Sequence, residues 1–247
     1  MLFVVGITGA ICSGKSTICR QLLISSKSIG ISVEWVDCDK LAHKLYVPGG
    51  ELLQTLAKEF GPHILNEEDG TLDRRTLGGI VFDQPQYLQK LNSIVWPVMR
   101  CHLEKLIEQA QRNETNKRTE INKRIEINQA KVILLDAAVL GQAGWDDLCD
   151  KVLYVTVPYE TAKARAITSR GMSEAKFDKI FETQQCIVHD AISISSVEQA
   201  ETALRDLVMN RSTGGVLVSE HPSSPLGINK EKTSIEEDED DLPDGLF

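Results

Sequence analysis

The amino-acid sequence predicts an α/β fold, a parallel sheet flanked by helices, on three observations. An apolar run, Leu2-Phe3-Val4-Val5, leads into a glycine-bearing loop and then into the helical pattern Ile18-Cys19-Arg20-Gln21-Leu22-Leu23. Two later stretches, Lys131 to Leu135 and Lys151 to Val157, are near-continuously apolar, as strands covered on both faces are. Helical patterns such as Glu51 to Phe60 lie between the strand patterns.

The loop between the first strand and helix carries the chemistry. Gly9 to Ser16 fits G-x-x-x-x-G-K-[ST], the spacing of a phosphate-binding loop. A polyphosphate needs several converging N–H donors, and a loop feeding a helix N-terminus supplies them together with the positive end of the helix dipole. Gly9 and Gly14 let the backbone turn and approach closely. The nucleotide-binding set is therefore Gly9, Ala10, Ile11, Cys12, Ser13, Gly14, Lys15, Ser16 and Thr17, with Lys15 reaching the β and γ phosphates and Ser16 taking a position on Mg²⁺. A chance glycine turn is the alternative, and the flanking strand and helix argue against it.

Bulk properties narrow the class. At 247 residues the chain holds a sizeable core, in one large domain or two small ones. The net charge of -9 is uneven: Lys230 to Phe247 carries eight acids against two lysines, so the rest is nearly neutral and shows no basic nucleic-acid footprint. Six cysteines without C-x-x-C spacing indicate neither a zinc site nor a disulfide framework, and fit a reducing compartment. Neither an apolar run of membrane-spanning length nor a leader ahead of Leu2 is expected, so the expected location is cytoplasmic, with no membrane segment.

Along the chain, Gly30 to Val36 reads as a second strand ending in Asp37-Cys38-Asp39. Ligands sit at the carboxyl ends of strands in open α/β sheets, so Asp39 is the candidate base or metal-orienting group; equally, it is placed to cap a helix beginning at Lys40. Pro48-Gly49-Gly50 breaks the chain, and Arg74-Arg75 follow on a short connection, either as grips for an anionic substrate or as solvated surface arginines. Gln84 to about Gln111 carries two helical patterns separated at Trp96-Pro97, the proline suiting the first turn of the second helix. Glu114 to Asn128 repeats Glu-x-Asn-Lys-Arg-x and reads as an insertion, over about 112–130, that lengthens a surface helix or loop. Asp136, at the tip of the Lys131 strand, is placed either to orient Mg²⁺ or to hydrogen-bond loop amides.

A helix from near Tyr159 with Lys163, Arg165 and Arg170, then Gly171 and a second helix from Ser173 to about Val188, reads as a basic lid over 159–190 or as a solvated helical hairpin. Ala191 to Ser195 gives a short last strand and Val197 to Met209 a last helix. Residues 212–247, rich in Gly, Ser and Pro and then acidic, are expected to be a disordered tail that offers a docking surface to a protein, leaving 1–211 as the folded P-loop domain.

Together with the phosphate loop, Asp37-Cys38-Asp39-Lys40-Leu41-Ala42, Pro48-Gly49, Asp69 to Leu77, Val81-Phe82 and Leu91-Asn92 give the chain from Leu2 to about Met209 a resemblance to the dephospho-coenzyme A kinases. Trp96-Pro97, Leu135 to Leu140 and Ala143-Gly144-Trp145 are similar to the kinase half of bifunctional coenzyme A synthases, here without the adenylyltransferase half. The resemblance implies a P-loop nucleoside-triphosphate hydrolase-like parallel sheet, with a helical acceptor-binding region over about 40–110 and a helical lid. It implies ATP and Mg²⁺ as cofactors and dephospho-coenzyme A as acceptor, its ribose 3′-hydroxyl being phosphorylated. Lys15 would stabilise charge, Asp39 would be the base, Arg165 would contact the transferring phosphoryl and Arg74 would lie on the acceptor side. The metal would sit at Ser16 and Asp136.

The chain departs from the family pattern at Trp96, where histidine is usual, at Ala138 to Gln142, at the shortened Arg170-Gly171, and around Ser195-Ser196. Another P-loop nucleoside or nucleotide kinase, and a non-enzymatic nucleotide-binding scaffold, are the competing readings. Asn116-Lys117-Arg118-Thr119 and Asn122-Lys123-Arg124-Ile125 lack the Asp of a guanine-reading motif.

Overall fold

Five parallel strands in the order β2-β3-β1-β4-β5 form the sheet of the computed structural model. The structure describes residues 1–82, 84–121, 130–184, 188, 190 and 191–212. The strands are β1 (Leu2–Thr8), β2 (Ile31–Asp37), β3 (Ala130–Asp136), β4 (Lys151–Val155) and β5 (Ile192–Ile194). Helix α1 (Lys15–Ser25) follows β1. Helices α2 (Cys38–Leu45), α3 (Glu51–Phe60), α4 (Arg74–Phe82) and α5 (Pro85–Ile121) lie between β2 and β3, α6 (Tyr159–Arg170) and α7 (Glu174–Thr183) between β4 and β5, and α8 (Val197–Ser212) at the end.

The two-residue period of the central strands sorts their side chains into two cores. Phe3, Val5 and Ile7 of β1, with Val132 and Leu134 of β3, pack against Ile18 and Leu22 of α1 and Ala200 and Leu204 of α8. Val4, Ile133 and Leu135 face the other way, onto α2 to α5. Gly6 is small for a reason: a Cβ there would come within 2.9 Å of Leu140 Cδ2 and 3.0 Å of Cys149 Sγ. Asp150 starts β4 by closing on β1 twice, its carboxylate accepting from Val4 N at 2.8 Å and its own N–H donating to Val4 O at 2.7 Å.

The expected break at Pro97 is absent. The two helices anticipated around Trp96-Pro97 are a single helix, with Pro97 in its interior. The reason is the stripe Leu91, Val95, Met99, Leu103 and Ile107, repeating every four residues and buried throughout. An internal proline costs about 3 kcal/mol, whereas each fully buried apolar side chain contributes about 1.5–3 kcal/mol, so one uninterrupted seam wins. The helix also takes in the first part of the Glu-x-Asn-Lys-Arg repeat, while 122–129 lies outside the described residues. So does 213–247, with the expected acidic tail. The second lid helix ends at Thr183 rather than near Val188, and among the described residues no helix is long and apolar enough to cross a membrane.

Candidate active site

The carboxyl ends of β1, β2 and β3 are level. Ile7 and Asp37 both stand opposite Asp136 in register, so the loop after β1 and the helix after β2 start side by side. All the strands run parallel, but the connections diverge between β1 and β3, β1 leading outward to β2 and β3 leading back across to β4, and ligands bind at such switch points in open α/β sheets.

The phosphate loop is built by its glycines. Gly9 has φ +148°, and a Cβ there would lie 2.6 Å from Val155 O of β4; Gly14, with φ +95°, is the N-cap of α1. Cys12 also takes a positive φ, of 57°. Ser13 N donates to Ala10 O at 3.1 Å and Ile18 N to Gly14 O at 3.0 Å, which folds the loop tightly onto the helix. Lys15 Nζ donates to Gly9 O at 3.0 Å and Ala10 O at 3.2 Å, bridging its own loop. Ser13 Oγ is buried without a hydrogen-bond partner, as suits a group that completes its bonding with a ligand.

Behind the loop, Ser16 Oγ donates to Asp136 Oδ2 at 3.2 Å. Asp136 is 6% exposed, and burial pushes its carboxyl above the usual range; Asp37 pushes the same way, while Lys15 and hydrogen bonds from Ser16 and Cys19 oppose it. A hydroxyl and two carboxylates beside an ammonium suit Mg²⁺, a hard ion that takes oxygen ligands. Among the described residues no group of three or more His, Cys, Asp and Glu could hold a metal alone.

The capping alternative for Asp39 is overturned. Asp37 is the N-cap of α2, accepting from Lys40 N at 2.9 Å, and its carboxylate also lies 3.3 Å from Lys40 Nζ. Asp39 lies half-buried in the first turn, where the helix dipole favours a carboxylate. Sequence reasoning missed Asp37 as the cap; its signal was its place as the last strand residue, three before Lys40. One turn beyond Asp39 on α2 comes His43, whose Nδ1 accepts from Arg74 Nη1 at 3.1 Å. Arg74 and Arg75 are not on a loop but in the first turn of α4, which Asp73 starts by accepting from Thr76 N at 3.0 Å and Thr76 Oγ1 at 2.6 Å. Arg75 is exposed, whereas half-buried Arg74 lies near buried Tyr46.

The basic hairpin packs on the phosphate loop. Ala10 and Ile11 share an apolar cluster with Ala162, Ala166, Met172, Phe177, Ile180 and Phe181. Arg165 Nη1 donates to Cys12 O at 3.2 Å. Lys163 has a different task, pairing with Glu174 and Asp178 across the hairpin. Cys38, 1% exposed, is a thiol that burial pushes well up.

A family model described as dephospho-CoA kinase matches residues 3–190. The chain belongs to the dephospho-CoA kinase family. That match spans the loop, Asp39, Arg74, Asp136 and Arg165, and ends before α8. A dephospho-CoA kinase from Symbiobacterium thermophilum is 35% identical over 170 residues, 69% of this chain and 62% of that one. Another, from Aquifex aeolicus, is 32% identical over 183 residues, 74% of this chain and 81% of the relative. A Thermus thermophilus crystal structure aligns with TM-score 0.56 and 25% identity, covering 84% of this chain and 97% of that one. The fold is shared with dephospho-CoA kinase from Campylobacter jejuni, at TM-score 0.50 and 21% identity over 87% of this chain and 99% of that one.

Two departures from the dephospho-CoA kinase pattern have structural explanations. Trp96, in place of the usual histidine, packs partly buried against the core under α2 to α5. Ala137, Ala138, Val139 and Leu140 are all buried, and Thr8 Oγ1 donates to Ala138 O at 3.2 Å, so this stretch supports β1.

Proposed function

We propose that this chain transfers the γ-phosphoryl group of ATP to the ribose 3′-hydroxyl of dephospho-coenzyme A, giving coenzyme A and ADP, the last step of coenzyme A biosynthesis, in the cytoplasm. One observation carries the reading: Asp37 stands opposite Asp136 in register while Ser16 hydrogen-bonds Asp136, which sets the start of α2, and with it Asp39, beside the phosphate loop.

In this reading the loop amides from Gly9 to Thr17 hold the β and γ phosphates. Lys15 exchanges its carbonyl partners for phosphate oxygens. Asp39 accepts the proton of the 3′-hydroxyl as its oxygen bonds to the γ phosphorus and the bond to the β–γ bridging oxygen breaks. Ser16 and Asp136 are the residues that would hold Mg²⁺, which would supply positive charge against the charge of the transferring group. Arg165 turns from Cys12 O to the transferring group, and the hairpin it rides on excludes water. Arg74 grips the acceptor's anionic side.

The test is ADP release from Mg-ATP with a panel of acceptors. Release that depends on dephospho-coenzyme A supports the reading; release driven equally well by nucleosides replaces it with a nucleoside kinase, and no acceptor-dependent release leaves a nucleotide-binding scaffold.

A further inference from the structure

Two guanidinium groups in this fold are held in opposite ways. Arg100 is locked between carboxylates, 2.9 Å from Glu104 and 2.9 Å from Asp147, so its charge is neutralised in place. Arg74 instead donates Nη1 to the ring nitrogen of His43 at 3.1 Å. Arginine has no acceptor atom, so Nδ1 of His43 is the acceptor in this pair. An imidazole acceptor carries no negative charge, so it fixes the direction of a guanidinium without cancelling its charge as the carboxylates at Arg100 do. The guanidinium keeps its charge and its planar fork, a geometry that matches phosphate.

His43 also stands four residues after Asp39 on α2, and side chains at that spacing share a helix face. Arg74 comes to that face from α4, across a short approach fixed by the Asp73 cap. The imidazole thus ties the orientation of the charged group to the helix that carries the base.

We propose that His43 is a positioning residue that presents Arg74 to the diphosphate of the acceptor and thereby sets acceptor affinity. The inference rests on the acceptor reading above. The effect of His43 runs through Arg74.

The test is steady-state kinetics of full-length His43→Ala and His43→Gln against wild type. Glutamine supplies a carbonyl oxygen that can accept from Arg74. His43→Ala is expected to raise KM for dephospho-coenzyme A about tenfold or more, the scale of a hydrogen bond to a charged group, with kcat within about threefold and KM for ATP unchanged. His43→Gln restores most of the lost affinity, and in an Arg74→Ala background His43→Ala adds nothing. An unchanged acceptor KM in His43→Ala overturns the proposal, as does an equal rise in the Arg74→Ala background, or a matching rise in KM for ATP. A wild-type chain that turns over no dephospho-coenzyme A sinks the acceptor reading itself, and this inference with it; active wild type with indifferent His43 variants sinks this inference alone.

Discussion

Replacing Gly9 with alanine tests whether the phosphate loop is held by close packing or by backbone conformation. The new Cβ would lie 2.6 Å from Val155 O, and the obstacle is main chain of β4, which cannot rotate away. That is about 0.7 Å short of even a weak C–H···O contact. Overpacking of this kind costs about 1–3 kcal/mol, and holding alanine at φ +148° adds a strain of about 1–3 kcal/mol. For a domain of this size the sum lowers Tm by about 4 °C or more. The loop, pushed off β4, should lose about a hundredfold in ATP-dependent turnover. Gly14 provides the control: its Cβ would meet nothing nearer than Arg165 Nη1 at 3.7 Å, leaving only the left-handed conformation at φ +95°, about 1–2 kcal/mol. Thermal unfolding and ATP titration of both variants should therefore rank Gly9→Ala as the more damaged. A Gly9→Ala protein as stable and as tight for ATP as wild type, or milder than Gly14→Ala, would refute the packing argument.

Asp136→Asn should stabilise the nucleotide-free protein while weakening Mg-ATP binding. The folded state holds the Asp136 proton more tightly than the unfolded chain, so the stability it contributes is present in acid and is lost as pH rises from the ordinary carboxylate value through the raised one. Asparagine carries no such loss, so the Tm advantage of the variant, followed by calorimetry against pH, should be absent in acid and grow through that window; a constant or inverted difference contradicts it. Arg165→Ala should lower kcat by about a hundredfold with little change in Tm, since its hydrogen bond to Cys12 is exposed. Lys163→Ala should do the reverse, loosening the hairpin with a smaller effect on kcat; equal effects of the two on kcat would show that the helix faces have been misread.

What the sequence made legible follows fixed spacing. The phosphate loop could be read because glycine, lysine and serine must stand at set intervals, and β3 because a strand buried on both faces is apolar without interruption. Pro97 misled because a local rule about proline competes with a burial seam that only the packed core reveals. Asp37 and Asp39 could not be told apart, because which one caps depends on where β2 stops. Lys163 and Arg165 are two residues apart and so point to different sides of α6: one meets α7, the other the phosphate loop. His43 left a faint signal, its four-residue interval from Asp39, but its partner Arg74 is 31 positions away and only the fold joins them.

The central claim is that the amide cradle after β1 and Asp39 after β2 act on one acceptor hydroxyl. Asp39→Asn, measured by ATP titration and by dephospho-coenzyme A-dependent ADP release on the same preparation, tests it most directly. Wild-type ATP affinity with turnover reduced by about a hundredfold or more is the expected outcome. Turnover equal to wild type would remove Asp39 from the chemistry and leave the cradle a nucleotide site only.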